Sequence, residues 1–451
     1  MLRAWYWALR AGVGAAVVLL QGCATYSDGI ARMDALIAAG QPAAALKSLD
    51  EQASSRQDEV LYLLNKSILL HQAGDYPASN AALEQAKPLM EKYAVLSVTE
   101  QAGALAVNDA LRAYGGAYYE RIYAHIFAAL NYLALGKFDE ARVEALQMDD
   151  QLSQIPKDTP VPSGFAHYLS GLIFETLGEW DDAMIAYRDA YAAYRVYPAN
   201  YSLSPPESLR RDLLRVATRQ NLTDELIRYR ETLSVKETGS GDDLDGKGEA
   251  VLIIESGLAP LKREIITGVY AADGRLVTVA LPYYQSRTPT MTRATLSVIG
   301  GPATDGELVE NVELMALAEL EREKPMIVAR AIGRAVVKNK TIKKSERQGN
   351  DALGLLVNVA GLLTERADTR SWSTLPSRIY VARLPLAPGR YRLNLEMRDA
   401  SGVVLGSREY NDIVISAGTK RFIVEHWVAP ADVVPRPLAH RPAVIDQRRR
   451  N

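Results

Sequence analysis

The sequence predicts an α plus β protein in two parts: an α-helical solenoid, followed by a β-rich domain with a helical insertion. Two observations carry this prediction. Glycines recur at the turns of helical hairpins in the first half, and Gly40 and Gly74 lie 34 residues apart. Beyond a glycine-rich stretch at 234–248, short runs of apolar residues with period two are typical of strands. A chain of 451 residues, 48% hydrophobic and 24% charged, has the composition of a globular protein of two or three domains.

Residues 1–22 predict a lipoprotein signal peptide. Basic residues precede an apolar core at 11–20, and Leu20-Gln21-Gly22-Cys23 has the form of a bacterial lipobox. Cys23, the single cysteine of the chain, would then carry acyl chains such as palmitate, with residues 23–30 as a lipidated tether. Ala24 rather than Asp follows, and the resemblance to sorted lipoproteins then implies the periplasmic face of the outer membrane. The alternative is an ordinary signal peptide with a chance cysteine.

Residues 31–233 predict stacked helical hairpins. The turn glycines are Gly40, Gly74, Gly136 and Gly178, each followed by small residues at helical spacing. Gly171 lies in mid-helix, where a small residue lets a second helix approach closely. This pattern is typical of tetratricopeptide (TPR) repeats, in which stacked hairpins form a concave surface that binds another protein. Residues 207–233 continue helically and predict a cap on the array; a generic helical bundle is the alternative.

Residues 234–248 predict a flexible linker, and residues 249–428 predict the second domain. Strands are expected at 250–255, 264–270, 275–284, 294–299, 378–383, 389–398, 403–410, 412–416 and 419–426. The insertion at 306–366 holds two predicted helices, 306–344, broken by Pro325, and 351–366. This pattern favours an immunoglobulin-like sandwich, with an α+β domain as the alternative. Residues 429–451, rich in proline and arginine, predict a disordered tail.

The candidate motifs for nucleotide, metal and catalytic sites lack the residues or the spacing that such sites require. Residues 241–248 fit G-x-x-x-x-G-K, but Gly248 replaces the hydroxyl residue that binds Mg²⁺. The same stretch fails as a calcium loop because Leu252 stands where a glutamate must be. No two of the five histidines have metal-ligand spacing, and a net charge of −2 gives no case for nucleic acid. We therefore expect no enzyme, no catalytic residue, no metal and no cofactor.

Two loops of the second domain predict a partner or ligand surface formed by Lys262, Tyr283, Asp368, Arg370 and Trp372. Arg370 is expected to stack on Trp372, and Asp368 to pair with Arg370 or to cap a turn. The alternative is a loop clamped on the sandwich core. A cleft that gathers Lys262, Tyr283, Asp368 and Arg370 would favour an enzyme or glycan-binding protein.

Two charged stretches have open interpretations. Arg142 and Glu144, two positions apart, do not face each other on a helix, so each needs another partner or a solvated face. The basic run at 334–347 favours a solvated helix end, with contact to anionic lipid or wall polymer as the alternative.

Several blocks together resemble a family of Gram-negative TPR lipoproteins without an established activity. They are the lipobox, the 119–144 block containing A-L-N-Y-L-A-L-G and A-R-V-E, and A-D-T-R-S-W-x-x-L-P at 367–376. Members are encoded near lipoproteins that resemble activators of penicillin-binding proteins, which implies an envelope role. The resemblance supplies no catalytic residues.

These patterns together predict a lipid-anchored periplasmic scaffold that binds an envelope protein through its repeats. The resemblance implies a role in the regulation of the cell envelope or of peptidoglycan synthesis. One alternative is an envelope glycan-binding or glycan-processing protein that acts through the second domain. The other is an accessory lipoprotein for outer-membrane assembly or secretion.

Overall fold

The fold is seen in a computed structural model of the chain. It describes residues 24–51, 57–100, 112–154, 163–197, 203–233, 246–270, 276–346 and 366–435, together with Leu244 and Gly274. The predicted signal peptide, Cys23, most of the predicted linker and nearly all of the second insertion helix, 351–366, lie outside these residues. Among the described helices, none is both long and apolar enough to cross a membrane.

In the described part of residues 24–233, ten helices form five consecutive hairpins. Their bounds are α1 (Ala24–Ala38), α2 (Pro42–Glu51), α3 (Glu59–Gln72), α4 (Tyr76–Glu100), α5 (Tyr118–Ala134), α6 (Phe138–Ser153), α7 (Gly164–Thr176), α8 (Trp180–Val196), α9 (Glu207–Arg219) and α10 (Thr223–Thr232). The four predicted turn glycines have φ between 68° and 77°, a left-handed conformation that glycine adopts without strain. Asn221, at φ 57°, takes the same role in the last hairpin. The predicted cap at 207–233 is therefore a fifth hairpin.

Close packing within a hairpin depends on Gly171. A Cβ at this position of α7 would lie 2.4 Å from ring atoms of Tyr187 on α8, so a larger residue would displace that ring. Tyr187 is fully buried. The predicted close approach at Gly171 is confirmed.

Among the described residues of the second domain there are ten strands and one long helix. They are β1 (Gly248–Ser256), β2 (Leu261–Tyr270), β3 (Leu276–Gln285), β4 (Arg293–Val298), β5 (Ala303–Asp305), β6 (Glu307–Asn311), α11 (Val312–Glu346), β7 (Arg378–Leu386), β8 (Gly389–Arg398), β9 (Val404–Ile415) and β10 (Lys420–Trp427). Two four-stranded sheets have the orders β10-β1-β7-β6 and β5-β4-β8-β9, and β2 and β3 form a separate two-stranded ribbon.

The two four-stranded sheets pack face to face as a sandwich. Their shared core contains Leu252 and Tyr380 from one sheet and Leu296 and Leu395 from the other. The β1–β10 pair is parallel, whereas β1 pairs with β7 in the antiparallel sense. The first sheet is therefore mixed, which departs from the two antiparallel sheets expected of an immunoglobulin-like sandwich.

Three predicted elements of the second domain are wrong in detail. Residues 307–311 form strand β6 instead of the start of a helix, because they pair with β7. Pro325 does not break the helix, since it lies inside α11. The strands predicted at 403–410 and 412–416 are one strand, β9, in which Asp412 has φ 58° and the register with β8 shifts nearby.

The segments predicted to be unstructured at the two ends are partly ordered. The tether predicted at 23–30 is wrong from Ala24 onward, because α1 begins there and has no proline to interrupt it. The tail predicted from residue 429 contains a 3₁₀ turn, Pro430–Val433. Asp432 stabilises this turn, since its carboxylate accepts the backbone N–H groups of Thr290 at 2.7 Å and Ala429 at 2.9 Å.

Strand β1 is the centre of the molecule because both of its faces are buried. Ala250, Leu252 and Ile254 belong to the sandwich core, whereas Val251 and Ile253 belong to a core shared with the helical hairpins. Within the described residues, the mixed sheet therefore lies between the helical array on one face and the second four-stranded sheet on the other.

Candidate functional site at the inner face of the helical array

The first helices of the hairpins contact the mixed sheet, and we call the surface formed by α3, α5, α7 and α9 the inner face. Its apolar centre is aromatic. Trp372 is fully buried with its ring centroid 6.1 Å from that of Phe127 on α5. Phe422 of β10 lies 6.2 Å from Phe138 at the start of α6. The surface that the sequence assigns to a partner is therefore filled by the chain's own second domain.

A buried set of charges, which we call the Arg383 network, joins the array to the sheet. Its members are Glu175, Asp212, Arg215, Glu249, Arg383 and Lys420. Arg383 of β7 donates to both carboxylate oxygens of Glu249, at 2.9 and 2.6 Å, and also to Asp212 of α9. Lys420 of β10 donates to Glu175 of α7 at 2.6 Å and to Glu249 at 3.3 Å.

The Arg383 network is balanced, with three acidic and three basic side chains. Arg215 completes it through contacts with Glu175 at 2.6 Å and Asp212 at 2.7 Å. Burial alone would raise the pKa of Glu249, but the charges of Arg383 and Lys420 outweigh it and lower the pKa to about 2. Burial likewise opposes ionisation of Glu175, but Lys420 and Arg215 outweigh it and lower its pKa, so both glutamates stay ionised at neutral pH within an apolar interface.

A second polar contact links α3 to the sheet through His71. Its Nε2 lies 3.1 Å from Glu255 of β1, and its Nδ1 lies 2.5 Å from Asn131. His426 of β10 lies 3.5 Å from the other oxygen of Glu255. Burial alone would raise the pKa of Glu255, but His71 and His426 outweigh it and lower the pKa to about 2; in turn Glu255 outweighs burial and raises the pKa of His71.

Three carboxylates at the start of the insertion, Glu307, Glu310 and Glu319, form what we call the glutamate row. Glu319 of α11 accepts the backbone N–H groups of Tyr118 at 2.6 Å and Tyr119 at 3.1 Å, in the first turn of α5. The first N–H groups of a helix have no partner within it and carry partial positive charge, so a carboxylate is favourable there.

The other two members of the glutamate row lie at the next two inner helices. Glu307 accepts the N–H groups of Glu207 at 2.6 Å and Ser208 at 3.0 Å, which begin α9. Glu310 accepts the hydroxyl of Ser163, the N-cap of α7, at 3.4 Å. Burial raises the pKa of Glu310 to about 8 and that of Glu319 to about 7. The second domain therefore contributes one carboxylate to the N-terminal end of each of three inner helices.

Asp368 and Arg370 pair as predicted, but their joint role is to hold the array. Arg370 donates to Asp368 at 2.9 and 2.8 Å and to Asp58, which precedes α3, at 3.1 Å. It also donates to the carbonyl of Arg112 at 2.8 Å. Its guanidinium lies 5.3 Å from the ring centroid of Tyr114, so the predicted cation–π contact is with this tyrosine and not with Trp372.

Trp372 and Lys262 join the same region, whereas Tyr283 does not. The backbone N–H of Trp372 donates to Glu120 of α5 at 2.7 Å. Lys262 lies opposite Tyr284 in the ribbon, 6.0 Å from its ring centroid, while Tyr283 lies opposite Arg263 and so points to the other side of the ribbon. Burial alone would raise the pKa of Asp368, but Arg370 and, to a smaller extent, Lys262 lower it.

The predicted surface residues are therefore mostly part of an internal contact. Arg370 and Trp372 are buried and bind the array, which places the 366–376 loop as a clamp on the helices rather than on the sandwich core. The charges of the Arg383 network are not predicted by the sequence patterns. A signal was present, since Glu249, Arg383 and Lys420 stand in or beside apolar strand runs, but nothing in those runs indicates their partners.

Arg142 and Glu144 have separate partners, as their spacing requires. Arg142 donates to Glu179 at 2.7 Å, and Glu144 accepts from Lys87 at 2.8 Å and contacts His125 at 2.7 Å. Glu144 is buried, so a solvated face describes Arg142 alone. Among the described residues, no group of three or more His, Cys, Asp or Glu side chains is arranged to hold a metal ion.

Comparisons with protein families and with curated proteins match nothing. Solved structures are similar in part. The apo form of RapI is 10% identical with a TM-score of 0.33, over 44% of this chain and 50% of RapI. MamA from Desulfovibrio magneticus RS-1, residues 41 to the end, is 13% identical with a TM-score of 0.29, over 45% of this chain and 91% of MamA. MamA AMB-1 is 12% identical with a TM-score of 0.30, over 46% and 90%. The chain thus spans half the length of RapI.

Proposed function

We propose that the protein is a non-enzymatic scaffold of the cell envelope, anchored through acyl chains on Cys23, that binds a protein partner with the outer face of its helical array. The observation that carries the proposal is the filled inner face. Because the mixed sheet and the 366–376 loop occupy it, the surface left to a partner is the one formed by the second helices, α4, α6, α8 and α10.

The outer face combines exposed apolar residues with acidic ones. Val143 of α6 and Ile185 of α8 occupy the same position of their hairpins and are 49% and 54% exposed. Each of these helices begins with two acidic residues in its first turn, Asp139 and Glu140 in α6 and Asp181 and Asp182 in α8. The partner that fits is a protein with an apolar patch rimmed by basic side chains.

The use of the candidate polar residues supports a scaffold rather than an enzyme. Arg370 is committed to Asp368, Asp58 and backbone carbonyls, and Glu120 accepts hydrogen bonds from Trp372 and from neighbouring residues of the array. These groups hold two layers of the molecule together. The lipobox supports the anchor, and the resemblance to envelope lipoproteins supports peptidoglycan synthesis as the process.

The test is photo-crosslinking in cells from Val143 and Ile185. The matched control is Val414, which is 52% exposed on β9 of the sandwich. We expect one envelope protein to be captured from both array positions and not from Val414, and to be lost when Cys23→Ala removes the anchor.

Each outcome of that experiment decides between functions. A peptidoglycan synthase or its activator as the captured protein would support the proposed process, and an outer-membrane assembly or secretion factor would support the accessory role instead. Capture of nothing reproducible, or equal capture from Val414, would overturn the outer-face proposal.

A further inference from the structure

Three polar side chains stand in a row on neighbouring strands at one end of the mixed sheet. Ser256 of β1 lies opposite Trp427 of β10 on one side and opposite Arg378 of β7 on the other. Side chains two residues apart in a strand point to the same face, and Ile254 of β1 belongs to the sandwich core. The three side chains, which we call the donor row, therefore face the second sheet and not the helical array.

Each member of the donor row has a buried polar atom that lacks a hydrogen-bond partner within the described residues. These atoms are Oγ of Ser256, Nε of Arg378 and Nε1 of Trp427. Ser256 is fully buried, and Arg378 and Trp427 are half-buried. The N–H groups of arginine and tryptophan can only donate, and the serine hydroxyl can donate as well. The row therefore presents three hydrogen-bond donors at a place where polar groups are ordinarily satisfied.

No carboxylate in the part of the chain that the structure describes forms an ion pair with Arg378. The acidic side chains at this end of the sandwich have other partners. Glu425 accepts from Tyr410 at 2.7 Å and from Arg408 at 3.2 Å, and Asp432 accepts two backbone N–H groups. A guanidinium that is partly removed from water favours an anion beside it. The donor row thus combines one positive charge that has no ion-pair partner with two neutral donors.

The indole ring of Trp427 covers one side of the donor row. A Cβ at Gly406 of β9 would clash with this ring, so the ring reaches across to the second sheet. The guanidinium of Arg408 lies 5.5 Å from the ring centroid. At the other end of the row, Arg378 is half-buried, and only Nε of its side-chain nitrogens is among the buried unpaired atoms. A ligand therefore reaches the row from the side of Arg378.

We propose that the donor row is a binding site for a carboxylate group. Nε and a neighbouring Nη of Arg378 donate to the two carboxylate oxygens as a fork, and Ser256 and Trp427 donate to their remaining lone pairs. One cation balances a singly charged carboxylate, whereas a doubly charged phosphate would leave one charge without a partner. The row lies on the face of the mixed sheet that points away from the array, so the site does not depend on the proposed outer-face function.

The test follows the indole N–H of Trp427 by NMR in the mature chain with Cys23→Ala, labelled with ¹⁵N at tryptophan. From Cys23 onward the chain has three tryptophans, Trp180, Trp372 and Trp427, and Trp427→Phe assigns the signal of the third. Sodium acetate is added at neutral pH and constant ionic strength, with sodium chloride as the balancing salt. We expect the Trp427 signal to move downfield until it saturates. Trp372 is the internal control, because its Nε1 is also buried and unpaired among the described residues but lies outside the row.

Variants of the row identify the groups that bind. Arg378→Met should weaken acetate binding at least about tenfold, because it removes the charge and two charge-assisted hydrogen bonds. Arg378→Lys, which keeps the charge and loses the fork, should have an intermediate affinity. Ser256→Ala should weaken binding several-fold through the loss of one donor. Ser170→Ala removes a buried hydroxyl of α7 that also lacks a partner among the described residues, and as the matched control it should leave the affinity unchanged. In each variant, unshifted signals of Trp180 and Trp372 show that the fold is retained.

Two tetra-alanine peptides separate the sources of the carboxylate. A peptide with a free C-terminus that binds more tightly than acetate assigns the site to peptide C-termini, and one that binds less tightly assigns it to small carboxylic acids. The amidated peptide lacks the carboxylate and should not move the signal.

The proposal is overturned if acetate at about 50 mM, well above the millimolar range of weak binding, leaves the Trp427 signal unmoved. It is also overturned if phosphate or the amidated peptide moves that signal as strongly as acetate does. The same holds if Arg378→Met binds acetate as tightly as Ser170→Ala, because the cation would then take no part.

Discussion

The Arg383 network and the glutamate row lie in the same interface but hold buried carboxylates in different ways. Glu249 has full positive charges of Arg383 and Lys420 within 3.3 Å, and its pKa falls to about 2. Glu310 accepts a hydrogen bond from the hydroxyl of Ser163, at the N-terminal end of α7, and its pKa rises to about 8. A helix N-terminus carries only about half a unit charge. In this interface, a side-chain cation therefore outweighs burial, and a helix end alone does not.

The largest effect is expected from Arg383→Met. This change leaves Glu249 and Asp212 buried without their shared cation, so the free energy of unfolding should fall by roughly 3–5 kcal/mol. Denaturant unfolding at neutral pH measures it. Arg390→Met, which breaks an exposed pair with Asp412, is the control and should cost less than about 1 kcal/mol. A loss for Arg383→Met no larger than for the control would show that the network contributes little.

Glu310→Gln should act in the opposite direction. A carboxyl whose pKa is raised in the folded state contributes stability below its unfolded pKa, near 4.3, and loses it as the pH rises toward 8. The neutral amide avoids this loss, so the variant should gain up to roughly 3 kcal/mol at pH 7 and almost nothing at pH 4. Unfolding measured across this range tests the sign. Destabilisation at pH 7 would mean that Glu310 is ionised and held by α7.

His71→Gln should change the pH dependence of stability by a smaller amount. Because the pKa of His71 is raised in the folded state, its contribution is present below its unfolded pKa, near 6.5, and disappears as the pH rises through the higher folded value. Glu255 contributes above its unfolded pKa near 4.3, so the pair is strongest between about pH 5 and 6.5. The stability difference between wild type and variant should be about 1–2 kcal/mol in that window and shrink above it. His167→Gln, whose ring is 3.7 Å from the partly exposed Asp149, is the matched control for the loss of an imidazole.

Glu307→Gln should have the smallest effect. The amide can still accept from Glu207 and Ser208 but loses its interaction with the helix dipole, so we expect a loss of about 0.5–1 kcal/mol, reduced by added salt. The melting temperature at low and high salt measures it. A salt-independent loss above about 2 kcal/mol would show that removing the charge of Glu307 is as costly as breaking a buried ion pair of the Arg383 network.

The helical array could be predicted from patterns between residues close together in sequence. The site depends mainly on contacts between residues far apart in sequence, which such patterns do not show. The turn glycines and Gly171 follow from helical spacing, and the Asp368–Arg370 pair follows from two adjacent loop positions. The sequence does not show that Tyr284, rather than the predicted Tyr283, faces Lys262, because alternation in a strand cannot be assigned to a side without knowing its neighbours. His71 and Glu255 are 184 residues apart, and no local pattern could connect them.

Residues near the two ends of the described chain pack together, and this contact has a consequence for biosynthesis. Met33 and Ile37 of α1 pack with Leu258, with Val433 of the 3₁₀ turn against them, and Arg287 reaches Asp34 at 2.6 Å. Strand β1 is completed on one side only by β10. A chain made from its N-terminus therefore exposes the apolar inner face of its hairpins until the last strand has been synthesised. Because this closure joins parts that are distant in sequence, we expect folding to be slow, with the inner face exposed until β10 has been made.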